Sequence, residues 1–493
     1  MFNLNFTICQ INSDFEHYTL IITKKGGLAM GLNILRKESL DRYLGADKKF
    51  VKTMTAKDLM AIGIGAVIGT GIFILPGTIA AQSAGPGVTL SFFLSAVVCA
   101  LAAMCYAEFS SALPVAGSAY SYGNIVFGEF FGWLLGWALV LEYMLAVATV
   151  STGWAAYFNS LIGSFGLHLP KALSGPFDPA HGTYVNIVAV VIVLLIALML
   201  AHGMQSSMRI NDFAVVLKLA IILIFIGVGL FFIKPSNYHP FMPYHLKGVI
   251  HGATLGFFAY LGFDVVSSSA AEVKNPKKNM PIGIIGTLVI ATVLYMGVAA
   301  VLTGMVKYTK LNVANPVAYA LELVHHGWLA DLLSIGALVG MFTMMISMIY
   351  SSSRLVYAIG RDGLLPSKLA QFDEKHHSPQ IALWVVSIIV AVMGGLVPLD
   401  ELTSLVNIGT LFAFTLVSFG IIPLRHRKDI GNRGGFKVPL YPVLPILSGL
   451  ACLGMMTQLS KTTYIGAGIW FTIGIIIYFA YGYRHSKLNK SRD

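Results

Sequence analysis

The sequence predicts an all-α protein that crosses a lipid bilayer about twelve times. Three observations predict this fold class: the composition, the recurrence of long apolar stretches, and the distribution of cationic residues. Of the 493 residues, 56% are hydrophobic and only 11% are charged. Because soluble domains carry about 25% charged residues, most of the surface of this chain is expected to contact lipid.

The apolar stretches are long enough to cross a bilayer as helices. A helix rises 1.5 Å per residue, so about twenty residues cover a hydrocarbon core of ~30 Å. We predict twelve membrane spans, numbered in chain order, at 58–80, 87–112, 130–158, 184–202, 212–233, 249–271, 281–305, 328–352, 380–397, 402–424, 440–459 and 463–483.

The Lys and Arg residues concentrate in alternate connections. With a cytoplasmic N-terminus, only six of the 33 lie in the outer segments, which follows the positive-inside rule. The net charge of +11 therefore indicates topology and not a nucleic-acid partner. Both termini are expected in the cytoplasm, as a segment at 1–57 and a tail at 484–493.

The segment KKGGLAM at 24–30 resembles a translated ribosome-binding site. Met30 is therefore an alternative start, and residues 1–29 are then not native.

The residue types that catalyse reactions or bind metals are scattered. The four cysteines show neither paired extracellular spacing nor a metal-ligand pattern and are expected in the core; they are Cys9, Cys99, Cys105 and Cys452. The 13 His residues are equally dispersed, and the short connections leave no room for a soluble catalytic domain. We therefore expect no enzymatic activity, no cofactor and no metal site.

Spans 1 and 6 are interrupted in matching ways. Span 1 reads GIGAVIGTGIFIL at 63–75, and span 6 reads TLGFFAYLGFDVVSSSAAE at 254–272. Each interior Gly costs a helix about 1 kcal/mol relative to Ala, and irregular backbone inside a membrane is tolerated where it lines a cavity or is buried in protein. Paired interruptions of this kind indicate a transporter binding site. Close helix packing through small residues is the alternative.

Five motifs together resemble the amino acid-polyamine-organocation (APC) superfamily, and its bacterial cationic-amino-acid-transporter-like branch most of all. The similarity runs from about residue 50 to 483. The motifs are GIGAVIGTGIF at 63–73, CYAEFSSALPVAGSAYSY at 105–122, FFAYLGFDVVSSSAAEVKNPKKNMPIGI at 257–284, SRLVYAIGRDGLLP at 353–366 and FKVPLYPVLP at 436–445.

The resemblance implies a leucine-transporter-like fold of two inverted five-helix repeats, at 58–233 and 249–424, followed by two additional helices at 440–483. It further implies a permease of the cell (inner) membrane that imports L-amino acids by proton symport and alternating access. An amino acid or polyamine exchanger is the alternative. A passive channel or a nutrient sensor is less well supported, because span 1 offers a closed binding loop and the tails are short.

The resemblance also assigns a substrate site to the two interrupted spans. Broken helix ends present unpaired N–H groups to a carboxylate, and the backbone expected to bind it is that of Val67, Ile68, Gly69, Thr70 and Gly71. The carbonyl groups expected to bind the ammonium group are those of Phe258, Ala259 and Leu261. The ring of Phe258 is expected to close over the substrate as a gate.

Lys218 and Glu142 are the candidate proton-coupling residues. Lys218 stands inside span 5, and the resemblance places its ammonium group where sodium-coupled relatives of this fold bind a cation between spans 1 and 8. Snorkelling to the interface, about 9 Å away, is the alternative. Glu142 lies roughly 18 Å into span 3, where it is either a proton carrier or a neutral structural residue. The same two alternatives apply to Asp264 in span 6.

Met348 in span 8 matches a position that, in this branch, lines the pocket for the substrate side chain. Ordinary core packing is the alternative. A Met pocket favours a modest, uncharged side chain, and the sequence places no acidic residue to pair with a cationic substrate. The expected partners are thus an amino acid, protons and the lipid bilayer.

Overall fold

The structure is a computed structural model that describes residues 36–40, 43, 52–115, 117–202, 205–324, 327–373, 378–427, 430 and 435–490. The alternative start at Met30 lies outside these residues. Within them the regular structure is helical, and β-pairing is confined to isolated bridges such as that between Met54 and Val273. The predicted all-α class is confirmed.

The helices are numbered here in chain order, and short 3-10 or π segments connect several of them. They are α1 (Ala56–Val67), α2 (Thr70–Phe73), α3 (Leu75–Ile79), α4 (Val88–Ala112), α5 (Ser118–Val126), α6 (Glu129–Ser164), α7 (Ile187–His202), α8 (Gln205–Gly229), α9 (His245–Gly256), α10 (Val265–Ser268), α11 (Pro276–Met305), α12 (Pro316–Leu323), α13 (Gly327–Arg361), α14 (Gln380–Leu396), α15 (Leu399–His426), α16 (Val443–Met456), α17 (Lys461–Ile477), α18 (Tyr483–His485) and α19 (Lys487–Lys490).

Eight segments of the described chain are long and apolar enough to cross a membrane. They are Leu75–Ala112, Glu129–Ser164, Phe213–Phe232, His245–Ser268, Pro276–Met305, Gly327–Arg361, Leu399–His426 and Lys461–His485. Helices α7, α14 and α16 are apolar but have fewer than 18 residues, and α1 has 12 because span 1 breaks after Val67. The chain is thus a polytopic helical protein, and the count of twelve spans stays a prediction.

Span 1 is interrupted at two residues. Helix α1 ends at Val67 and α2 begins at Thr70, with Ile68 extended (φ −82°, ψ 96°). Gly69 follows with φ −134° and ψ −131°, outside both the helical and the extended regions. The glycine cluster that marks this break in the sequence thus coincides with irregular backbone.

Span 6 is interrupted over a longer segment. Helix α9 ends at Gly256, a 3-10 turn covers Phe257–Tyr260, and α10 begins only at Val265. Gly262 has φ +108°, and a Cβ atom on it would lie 3.0 Å from the backbone of Ala66 in α1. Both the left-handed conformation and the close approach require glycine at this position.

Long helices enclose both breaks. Helix α1 packs against α8, α11 and α13, and the 3-10 turn of span 6 packs against α4 and α15. Helix α6 in turn packs against α13 and α15. The irregular backbone is therefore buried in protein, which is the condition under which a membrane protein tolerates it.

The last long helix, α17, is anchored to α6 by two tryptophans. The indole N–H of Trp137 donates to the carbonyl oxygen of Trp470 (2.9 Å), and that of Trp470 donates to the carbonyl oxygen of Trp137 (3.0 Å). Their rings are stacked with centroids 4.5 Å apart.

The cysteines that the structure describes lie in the core. Cys99, Cys105 and Cys452 are buried free thiols, as expected from the sequence. Cys9 lies outside the described residues.

Candidate functional site

The two broken segments lie in direct contact. A Cβ atom added to Gly71 in span 1 would lie 2.7 Å from the Cα atom of Ala259 in span 6. No real side chain fits at that distance, so only glycine permits this approach. Together with the contact between Gly262 and Ala66, it joins segments 67–71 and 257–264 into one site.

The span 1 part of this site offers unpaired hydrogen-bond donors. All residues from 67 to 71 are buried. Because α2 begins at Thr70, the first amide groups of that helix have no acceptor within it. The Thr70 hydroxyl is also buried and has no hydrogen-bond partner among the described residues. Such donors are suited to an anionic group.

The span 6 part of the site offers carbonyl oxygens. Phe258, Ala259 and Leu261 are all buried. The carbonyl oxygen of Phe258 accepts from the amide of Leu261 (3.2 Å), and that of Ala259 accepts from the hydroxyl of Tyr295 in α11 (2.6 Å). A carbonyl oxygen has two lone pairs, so each of these two can accept a further hydrogen bond. The proposed gating role of the Phe258 ring stays a prediction.

Lys218 in α8 is fully buried and points toward the break in span 1. Its ammonium group donates to the carbonyl oxygens of Gly65 and Ile68, both at 2.9 Å. The hydroxyl oxygen of Thr343 in α13 lies 3.5 Å away. A snorkelling lysine would instead extend its ammonium group to the membrane interface. The geometry thus ties α8 to the end of α1 and to α13.

Glu142 in α6 lies in a second buried polar group. It is fully buried, and the Thr410 hydroxyl lies close to its carboxyl group, but neither carboxyl oxygen has a partner with hydrogen-bond geometry among the described residues. Asp264, also fully buried, interacts with it electrostatically and accepts a hydrogen bond from the Tyr143 hydroxyl (2.7 Å). An unpaired buried carboxylate is costly, so these two carboxyl groups form a candidate place to hold a proton.

Met344 in α13 is the methionine that contacts the span 1 break. A Cβ atom on Gly69 would lie 2.2 Å from the Met344 sulfur, so this side chain packs directly against the backbone of the site. Met348 is fully buried one turn further along the same face of α13. Sequence reasoning selected Met348 and missed Met344.

Tyr295 and Thr343 were also missed by sequence reasoning. Each is a hydroxyl-bearing residue in a largely apolar helix, and this is the one feature of the sequence that could have marked it as a site residue. That signal is weak, because the spacing of residues within one helix does not reveal which neighbouring helix they contact.

Two further glutamates stabilise contacts with connecting segments and do not lie in the candidate site. The carboxylate of Glu108 accepts two hydrogen bonds of 2.7 Å from Arg425 and one of 2.6 Å from the amide of Val438. Glu272 forms an ion pair of 3.8 Å with Arg354. Within the described ranges, no group of three or more His, Cys, Asp or Glu side chains is arranged to hold a metal ion.

Comparison with known proteins identifies the family. A family model described as amino acid permease matches residues 55–481. The chain belongs to the amino acid permease family. The resemblance to the APC superfamily is thereby confirmed, and all five motifs lie within the matched region.

Three relatives illustrate the range of the family. A methylthioribose transporter of Bacillus subtilis (strain 168) is 46% identical over 460 residues, which cover 93% of this chain and 100% of that protein. The branched-chain amino acid permease BcaP of the same organism is 44% identical over 464 residues, covering 93% and 99%. A vacuolar cationic amino acid transporter 4 of Arabidopsis thaliana is 33% identical over 387 residues, covering 77% and 64%. This permease is therefore a multi-pass membrane transporter and not an enzyme.

Proposed function

We propose that this permease is a secondary active transporter that imports L-amino acids together with protons by alternating access. The observation that carries the proposal is the contact between Gly71 and Ala259. It brings the start of α2, where the Thr70 hydroxyl has no partner among the described residues, against the turn of span 6 that carries the carbonyl groups of Phe258 and Ala259. These two kinds of group complement the carboxylate and the ammonium group of an amino acid.

The side chains around the site favour an uncharged substrate side chain. Met344 packs against Gly69, and the Phe258 side chain is buried in the broken segment of span 6. Thioether and aromatic groups suit an aliphatic or thioether side chain. The similarity to BcaP supports a branched-chain amino acid. The similarity to the methylthioribose transporter supports a second candidate, a methylthio sugar.

Proton coupling is assigned to Lys218 and Glu142. Lys218 links α8 to the end of α1, so its protonation state affects the helix whose break forms the site. Glu142 offers carboxyl oxygens with no partner in hydrogen-bond geometry among the described residues. An exchanger of amino acids or polyamines is the alternative, and it would need neither group to release a proton during transport.

The proposed architecture is twelve spans in the inner membrane, with both termini cytoplasmic and inverted repeats at 58–233 and 249–424. Helix packing supports the repeat. Helix α4 packs against α11, α6 against α13, and α7 against α14. These pairs are the second, third and fourth spans of the two repeats, which an inverted repeat places in equivalent positions.

The test is uptake into proteoliposomes with and without an inward proton gradient. The labelled substrates are L-leucine, L-alanine, L-arginine, putrescine and methylthioribose. Leucine or alanine uptake that the gradient stimulates supports the proposal. Uptake that depends on internal amino acid and ignores the gradient identifies an exchanger, and uptake of methylthioribose alone identifies the sugar transporter. Protein-free liposomes provide the inactive control.

A further inference from the structure

Tyr295 connects the two broken segments to α11. Its side chain is fully buried, and its hydroxyl oxygen lies 2.9 Å from the carbonyl oxygen of Val67 and 2.6 Å from that of Ala259. The first carbonyl group belongs to span 1 and the second to span 6. The ring is held by Phe92, with centroids 5.6 Å apart, and by the edge-on ring of Tyr260 at 5.1 Å.

The hydroxyl group has too few hydrogens for this arrangement. A tyrosine hydroxyl has one hydrogen, so it donates to only one of the two carbonyl groups at a time. The other carbonyl oxygen then faces the hydroxyl oxygen with no hydrogen between them. The break at Ile68 and Gly69 also interrupts the helical ladder in which Val67 would accept from the amide of Gly71.

A donor-only group would complete this set of acceptors. A buried carbonyl oxygen without a donor costs free energy, and three oxygens face one another here, those of Val67, Ala259 and Tyr295. An ammonium group has three N–H donors and no acceptor. It could satisfy the carbonyl group that the hydroxyl leaves unpaired and also donate to the hydroxyl oxygen.

We propose that Tyr295 is a positioning residue for the ammonium group of the substrate. Its hydroxyl accepts from the ammonium group while it donates to one of the two carbonyl groups. The substrate thereby supplies the hydrogen that the site lacks and links the broken segments of spans 1 and 6 through α11. This inference rests on the proposed import of amino acids, since a methylthio sugar has no ammonium group.

The experiment compares L-leucine with 4-methylpentanoate, which is leucine without its ammonium group. Binding of each is measured to the purified full-length protein, wild type and Tyr295→Phe, and the ratio of the two Kd values is calculated. Phe keeps the ring contacts with Phe92 and Tyr260 and removes only the hydroxyl. A hydrogen bond to a charged group corresponds to a factor of about ten or more, so the preference for leucine should fall about tenfold in Tyr295→Phe.

The ratio separates positioning from a merely structural role. If the hydroxyl only holds the helices together, both Kd values change together and their ratio stays constant, which overturns the inference. The matched control is Tyr238→Phe, because the Tyr238 hydroxyl also donates to a carbonyl oxygen of α11, that of Ala300 (2.9 Å). This control should leave the ratio unchanged.

Two outcomes distinguish the inference from the function on which it rests. If wild type binds neither L-leucine nor any other amino acid, the proposed function fails, whatever the variant does. If Tyr295→Phe does not fold, 3,5-difluorotyrosine is incorporated at position 295, where it keeps the hydroxyl and adds only two small fluorine atoms, but makes the oxygen of the neutral phenol a weaker acceptor. A reduced ratio then supports the inference, and an unchanged ratio overturns it.

Discussion

The ammonium group of Lys218 lies 2.9 Å from the carbonyl oxygen of Ile68, the residue directly after the end of α1. A second bond of 2.9 Å to Gly65 fixes the last turn of the same helix. Near the end of a helix, carbonyl oxygens such as these two lack the amide donors that a continuous helix would provide. The lysine supplies donors to them. The end of α1 is thus held by a side chain from another helix rather than by its own backbone.

Replacement of Lys218 by Met should eliminate the stimulation of uptake by an inward proton gradient. Proton binding shifts a conformational equilibrium only if its affinity differs between inward-open and outward-open states. Met has no proton to exchange, and it leaves the carbonyl groups of Gly65 and Ile68 without this donor. The measurement is gradient-driven uptake beside equilibrium substrate binding, for wild type and Lys218→Met in the same liposomes.

The matched control for this variant is Lys234→Met, which removes an exposed lysine that follows α8. It should transport as wild type does. Gradient stimulation that persists in Lys218→Met would contradict the coupling role, and Glu142 would become the leading candidate for the proton site.

Replacement of Gly71 by Leu should abolish uptake while the protein still inserts into the membrane. Even a Cβ atom at this position would lie 2.7 Å from Ala259, so a larger side chain separates the two broken segments and fills the site. Gly227→Leu is the control, because nothing lies within 4 Å of a Cβ atom there. Uptake and membrane insertion are measured in parallel, and normal transport by Gly71→Leu would show that the site lies elsewhere.

The sequence predicts the breaks well because their cause is local. Clustered glycines destabilise a helix wherever it packs, and the interruptions at Gly69 and Gly262 follow directly from that composition. The sequence does not define where the Lys218 ammonium group points, since a lysine that snorkels and a lysine that binds α1 occupy the same position in an apolar run. Only the orientation of α8 against α1 distinguishes them.

The partners across helices could not be predicted from the sequence. Met344, Tyr295 and Thr343 contact the site because of the rotation of α13 and α11 about their axes. Hydrophobic periodicity defines that rotation poorly in helices that are apolar on most faces. The choice of Met348 over Met344 came from the resemblance to a family, and the structure adds the second methionine through its contact with Gly69.

Replacement of Met348 by Ser should shift uptake toward bulkier substrate side chains. A shorter side chain widens the pocket, and discrimination by one methylene group is worth about 10-fold or more, so the ratio of leucine to alanine uptake should rise by about that factor. Met344→Ser tests the neighbouring position, and Ile346→Ser is the control because Ile346 is buried but rotated by about 160° around α13 from both methionines. An unchanged preference in Met348→Ser would identify Met348 as core.

Replacement of Glu142 by Gln should reduce gradient-driven uptake to the level seen without a gradient, yet preserve exchange of labelled for unlabelled substrate. Gln keeps the shape of the side chain but cannot release a proton, and exchange requires no net proton movement. Asp264→Asn tests the second carboxyl group of the pair, whose bond to the Tyr143 hydroxyl an amide oxygen can retain. Both fluxes are measured in one liposome preparation. Full gradient stimulation in Glu142→Gln would mean that this glutamate is a neutral structural residue, and that Lys218 and Asp264 remain as the candidate proton carriers.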